Sequence, residues 1–119
     1  MRNYTVAIMA EYNVSTDKDI FDAEDAAIEE IKNAVNGTAD EVEAEVVNTI
    51  KRLFVGYLVK VAANMIVSVS AESYLTAYHK AVEQIESLPY SDYIEVANVG
   101  TYDVTLAEEK ILLEKPIAM

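Results

Sequence analysis

The stretch from Tyr4 to Ser15, YTVAIMAEYNVS, recurs in outline from Tyr57 to Ser68, YLVKVAANMIVS. Six positions match at a constant offset: Tyr4, Val6, Ile8, Ala10, Val14 and Ser15 correspond to Tyr57, Val59, Val61, Ala63, Val67 and Ser68. In both stretches apolar residues occupy every second position, which is typical of a β-strand with one buried face. The sequence therefore predicts two equivalent long strands.

The similarity continues after each strand. A helical stripe comes next, and Ala23, Ala27, Ile28, Glu29 and Ile31 match Ala77, Ala81, Val82, Glu83 and Ile85. A further strand-like segment follows, and Asp40, Val42, Glu43, Val47 and Thr49 match Asp92, Ile94, Glu95, Val99 and Thr101. Three matched blocks in the same order indicate an internal βαβ duplication, with repeats at about 4–50 and 57–102.

The predicted order of elements, strand, helix, strand, strand, helix, strand, resembles the ferredoxin-like α+β sandwich. The resemblance covers nearly the whole chain. It implies one antiparallel sheet in the strand order 4-1-3-2, with both helices on one face and strand two at an edge. The glutamates of strand two, Glu41, Glu43 and Glu45, would then point away from the helices and discourage pairing with another sheet edge.

Three local patterns qualify this prediction. Thr38 followed by Glu41 is a capping box, so residues 40–62 are also compatible with a helix. We favour a strand because β-branched residues are dense there, and both interpretations stay open. A second capping box, Thr105 with Glu108, predicts a C-terminal helix over about 105–115. Gly100 is a candidate for a β-bulge in strand four.

The length and composition favour one acidic domain over residues 1–119. The chain has no Cys, which excludes disulfides, zinc thiolate sites and thiol catalysis. No apolar run approaches the roughly 18 residues of a membrane span, and no signal peptide is recognisable, so we expect a cytoplasmic protein. The net charge of −12 is concentrated between Asp17 and Glu45, where 11 acids face two bases. Such a surface repels phosphates, so we expect no direct binding of nucleic acid or membrane.

No pattern for catalysis, cofactor binding or metal binding is convincing. Residues 13–24 resemble an EF-hand loop, but Lys18 stands where a Gly normally permits the turn, and an acidic helix start is the simpler interpretation. His79 is the only histidine and has no matching nucleophile. The three glycines are isolated, so no phosphate-binding loop can form. We therefore predict a protein that is not an enzyme.

The favoured function is that of a regulator or inhibitor that binds a partner protein with a basic surface. The predicted binding residues form an acidic face: Asp22, Asp25, Glu29, Glu41, Glu43 and Glu45. The same charge density is compatible with a nucleic-acid mimic of the kind that phages and other mobile elements use against host enzymes.

The alternative function is a homo-oligomeric assembly or small-ligand-sensing domain that acts through its sheet face. The face opposite the helices is predicted to carry Ala7, Met9, Leu58, Ala62, Ile66, Ala97 and Val99 among polar residues. Self-association would then involve Met9, Leu58, Ile66, Ile111, Leu112 and Leu113.

Overall fold

A computed structural model describes residues 1–17, 20–52 and 56–107, with residues 20 and 21 described as backbone only. Within these ranges the elements are β1 (Arg2–Thr16), α1 (Ile20–Val35), β2 (Glu41–Lys51), β3 (Tyr57–Ala71), α2 (Tyr74–Glu86) and β4 (Ile94–Leu106). The predicted βαββαβ order is confirmed. The helical interpretation of residues 40–62 is wrong, because β2 and the start of β3 occupy that segment.

The four strands form one antiparallel sheet in the order β2-β3-β1-β4, which is the predicted order. The architecture is compatible with the ferredoxin-like fold. The two central strands pair over their full length without a register shift, from Arg2 opposite Ala71 to Thr16 opposite Tyr57. The edge strands β2 and β4 pair with β3 and β1 respectively.

The hydrophobic core lies between the two helices and one face of the sheet. Both helices bury matching stripes that are 0% exposed: Ala23, Ala27 and Ile31 in α1, and Ala77, Ala81 and Ile85 in α2. The small alanines allow each helix to approach the sheet closely, and larger sheet residues such as Tyr4, Ile8 and Met65 fill the space between the layers. These six residues confirm the predicted helical stripes, whereas Ile28 and Val82 are only half-buried.

A pair of tyrosines fixes the loop after α2 to the core. The hydroxyls of Tyr12 and Tyr90 lie 2.9 Å apart, and the Tyr90 hydroxyl donates to the Ile85 carbonyl oxygen at 2.8 Å. Because the single proton of Tyr90 is used for that carbonyl, Tyr12 is the donor in the tyrosine pair. Burial raises the pKa of both hydroxyls, and donation to Tyr90 raises the pKa of Tyr12 further.

The helix ends follow local sequence signals. Ser73 caps α2, and its hydroxyl accepts from the backbone N–H of Thr76 at 3.2 Å. Gly37 follows α1 with a φ of 89°. In the β2–β3 connection, Gly56 has a φ of 76°, and a Cβ there would lie 1.8 Å from the carbonyl oxygen of Thr16. Only glycine fits this last position.

Bulges interrupt both edge strands. One extra residue, Val47, lies in β2, and two extra residues, Ala97 and Tyr102, lie in β4. The prediction of a bulge at Gly100 is wrong, because Gly100 pairs regularly with Met9. The bulge at Ala97 also turns Val99 towards the core, so its predicted place on the opposite face is wrong.

The predicted C-terminal helix is only partly covered by the described residues. Strand β4 continues through Leu106, one residue past the predicted start of that helix. Residues 108–115 lie outside the described part of the chain, and so do Ile111, Leu112 and Leu113. Neither α1 nor α2, the helices of the described part, is long and apolar enough to cross a membrane.

Candidate functional site

The sheet face that points away from α1 and α2, called the open face below, is the most distinctive surface of the described residues. Strand alternation creates it, because Val6, Ile8 and Ala10 face the core while Ala7, Met9 and Glu11 face the other way. Directly opposite residues of paired strands share a face, so the strand registers define the membership of the open face.

The β2 edge of the open face carries a row of three glutamates, Glu41, Glu43 and Glu45. All three are exposed, whereas the intervening Val42, Ala44 and Val46 are half-buried. No other described residue donates a hydrogen bond to these carboxylates or forms an ion pair with them. Within the described part of the chain, the three carboxylates are therefore unpaired.

The remaining charges of the open face are also mostly acidic. Across the four strands the face carries the carboxylates of Glu11, Glu41, Glu43, Glu45, Glu95 and Asp103. Lys60 is the one cationic side chain among these strand positions, and it lies between Asn13 and Asn48. The net charge of these strand positions is thus −5, from six carboxylates and one ammonium group.

Apolar side chains lie beside these charges. Met9 is 42% exposed near the centre of the face, and Ile50 is 45% exposed at one end of β2. Leu58 and Ile66 are half-buried on the central strand β3, so the structure places all three described residues of the predicted self-association set on the open face. A surface that combines exposed apolar groups with unpaired charge is typical of a protein-binding site.

A groove of about 590 Å³ crosses the open face near the start of β2. Its walls include Glu41 and Glu43 on one side and Tyr102 on the other, with Asn64 and Ile66 between them. Tyr102 is a bulged residue of the opposite edge strand, 63% exposed, and it reaches the groove across β1. The groove thus combines two carboxylates, the side chains of Asn64 and Ile66, and an aromatic ring.

The structure divides the predicted acidic face into two surfaces. Asp22, Asp25 and Glu29 are exposed on the outer side of α1, whereas the three β2 glutamates belong to the open face on the other side of the sheet. The six residues are therefore not brought together. Glu24, on the same helix, instead contacts β2, where its Oε2 accepts from the Thr49 hydroxyl at 2.5 Å.

The structure also places the residues considered for metal binding and catalysis. Asn13 and Ser15 are part of β1, so they do not form a calcium-binding loop with Glu24. Among the described residues, no group of three or more His, Asp or Glu side chains is arranged to hold a metal ion. His79 is exposed, and its ring contacts Tyr78 edge-on with centroids 5.0 Å apart.

Sequence reasoning missed several members of the open face. Glu11 could have been found, because it alternates with the buried residues of β1. Glu95 and Asp103 could not both be assigned to this face from the sequence, because the two bulges between them change the alternation of β4. Tyr102 gave no sequence signal for its place in the groove.

No protein-family model, curated protein or solved structure matches this chain.

Proposed function

We propose that this chain is a non-enzymatic binding module that regulates or inhibits a partner protein with a basic surface, and that the open face is the binding site. The observation that carries the proposal is the composition of that face: its strand positions carry six carboxylates, one lysine and exposed apolar side chains. Charge complementarity gives a basic partner a faster association rate and disfavours acidic ones.

The position of the acids on the molecule refines this proposal. A mimic that presented phosphate-like charge from one side would need the acids on one surface. Here they lie on two opposite sides, on α1 and on the open face. The open face alone combines charge with exposed apolar groups, and that combination favours a local protein-binding surface.

Self-association through the open face is a second candidate, favoured by the exposure of Met9. Two copies meeting face to face would bring two surfaces of net charge −5 together. Like charges across an interface oppose association, most strongly at low salt. A basic partner therefore has the advantage over a second copy.

We also infer that the two βαβ halves arose by duplication, since their buried helix stripes occupy matching positions. The predicted C-terminal helix remains part of the proposed architecture.

Two matched variants test the proposed site. Glu43→Lys with Glu45→Lys changes the open face, and Asp25→Lys with Glu29→Lys changes α1. Each variant carries a net charge of −8 in place of −12, because each of its two reversals adds two charges. Wild-type protein and both variants are used as bait, and captured proteins are eluted with increasing salt.

We expect to capture a basic protein that stays bound to wild type and to the α1 variant. The same protein should not stay bound to the open-face variant. If both variants lost the basic protein equally, net charge alone would account for binding. If only the α1 variant lost it, the binding site would be on the helix. Either result would contradict the proposal.

A further inference from the structure

We propose that the free edge of β2, from Glu41 to Val46, binds an extended segment of the partner as a fifth strand, and that this segment alternates basic and apolar residues. The inference rests on the proposed function and adds a binding mode. Strand addition to a sheet edge uses main-chain hydrogen bonds for affinity and alternate side chains for specificity.

The edge of β2 is available for such pairing. Strand β2 is the terminal strand of the sheet, and within the described residues it pairs with β3 alone. A terminal strand presents unpaired backbone N–H and C=O groups on its outer side, and these can pair with another chain.

The regularity of β2 distinguishes it from the other edge. Six consecutive residues, Glu41 to Val46, pair with β3 without interruption before the bulge at Val47. In β4 the bulges at Ala97 and Tyr102 leave only four regular residues between them. Because a bulge increases twist and breaks the ladder, β4 is the poorer template for an added strand.

The side chains of β2 specify what the added strand should contain. On the open face, residues next to Glu41, Glu43 and Glu45 would be cationic, since directly opposite side chains in paired strands lie close enough to interact. On the helix face, Val42, Ala44 and Val46 are half-buried at the rim of the core, so the alternate residues would be apolar.

The same pattern disfavours a second copy of this chain. If two β2 edges paired antiparallel, the glutamates of one copy would lie beside those of the other on the same face. Like charges directly opposite each other are destabilising. The glutamate row therefore allows a basic segment and opposes edge-to-edge self-association.

Two synthetic peptides of identical composition test this binding mode. The first, TKVKVKVT, alternates Lys and Val, and the second, TVKKKVVT, groups the lysines. Each is titrated at pH 7 into the full-length, ¹⁵N-labelled protein, and amide shifts and amide hydrogen exchange are recorded. The two variants with net charge −8 are titrated in parallel.

We expect the alternating peptide to bind at least tenfold more tightly than the grouped one and to slow amide exchange within residues 41–46. The open-face variant should lose at least tenfold in affinity for the alternating peptide. The α1 variant should stay within twofold of wild type.

Three outcomes would overturn the inference. Equal affinity for both peptides, with shifts around Met9 and Ile66 and no protection in β2, would assign binding to the surface of the sheet and leave the proposed function intact. Protection of β4 would assign it to the other edge. Failure of both peptides to bind would exclude strand addition at this edge and would leave the proposed function to be tested with the captured partner.

Discussion

The first and second halves of the chain bury the same pattern of residues and then diverge at their closing strands. Both halves place an Ala, Ala, Ile stripe against the sheet, with Ala23, Ala27 and Ile31 in α1 and Ala77, Ala81 and Ile85 in α2. The closing strands, β2 and β4, lie at opposite edges of the sheet. Strand β2 carries the glutamate row and one bulge, whereas β4 carries two bulges.

The residues that hold the fold together and the residues that give the open face its chemistry are thus different sets. Positions in the core must fill a fixed space between helix and sheet, so both halves use the same small and branched residues there. Positions on the open face meet no such constraint. Differences between the halves on that face are therefore where a binding function is to be sought.

Alanine substitution of a buried isoleucine in each helix tests whether the two cores are equivalent, and it should have the largest effect on stability. Ile31→Ala and Ile85→Ala should each lower the free energy of unfolding by about 2–5 kcal/mol, because each leaves a cavity at a fully buried position. Urea unfolding followed by circular dichroism measures both losses. Leu75→Ala is the control, since Leu75 is 67% exposed, and it should change stability by no more than about 0.5 kcal/mol.

If only one isoleucine variant lost less than about 1 kcal/mol of unfolding free energy, the two cores would not be equivalent. That result would show that one helix contributes little to the common core.

The tyrosine pair is a contact between the two halves that the duplication does not repeat. The repeat alignment places Met65 at the position equivalent to Tyr12, and methionine has no hydroxyl, so the symmetry-related hydrogen bond cannot form. Tyr12→Phe removes the donor and should cost about 0.5–1.5 kcal/mol at neutral pH. Tyr102→Phe is the control, because that ring is largely exposed, and it should be close to neutral.

The pH dependence of this pair has a definite sign. Burial raises the pKa of Tyr12 in the folded state above the ordinary value of 10.0, so the folded state keeps the proton when the unfolded state loses it. The resulting stability is complete below pH 10 and is lost as the pH rises above it. Tyr12→Phe should reduce the alkaline slope by up to about 1.4 kcal/mol per pH unit in urea unfolding between pH 9 and 11. An unchanged slope would contradict burial of a protonated hydroxyl.

Pairing between two copies of this chain with opposite charge on β2 tests whether the β2 edge can accept an added strand. No outside partner is needed, and the effect should be small. A variant with Glu41, Glu43 and Glu45 all replaced by Lys has a basic β2 edge, and mixing it with wild type should give a one-to-one complex in sedimentation experiments. Each opposite-charge cross-strand pair contributes about 0.2–1 kcal/mol, so the association should be weak and sensitive to salt.

In the matched control for this mixture, Asp22, Asp25 and Glu29 are replaced by Lys, which changes the net charge by the same amount. It should form no complex with wild type, since α1 has no free strand edge. Complexes of equal strength in both mixtures would show that net charge alone drives association.

Much of the fold could be predicted from the sequence because the relevant signals are local. Alternation in β1 and β3 and the helical stripes each span a few residues, and they led to the correct order of elements. The order of strands in the sheet came from the resemblance of that element order to the ferredoxin-like sandwich. The bulges could not be predicted, because they depend on the register with β1 and β3, and Ala97 and Tyr102 carry no glycine or proline signal. The bond between Tyr12 and Tyr90 joins residues 78 apart in the chain, beyond any local pattern.

The candidate site was predicted only in part for a related reason. The acids of α1 and β2 are close in sequence, which suggested one acidic face. Because alternation turns Glu41, Glu43 and Glu45 away from the helices, packing of α1 on the sheet separates the two sets. Proximity in sequence therefore did not mean proximity on the surface.

The proposed binding site for a basic partner is the open face at its β2 edge. The most direct test is calorimetric titration of the partner obtained by differential capture into wild type and the two variants of net charge −8, at 50 and 200 mM salt. We expect Glu43→Lys with Glu45→Lys to weaken binding at least tenfold, about 1.4 kcal/mol, at the lower salt, and Asp25→Lys with Glu29→Lys to stay within twofold of wild type. Equal affinities of the partner for the two variants, or a larger loss of affinity in the α1 variant, would contradict the proposed binding site.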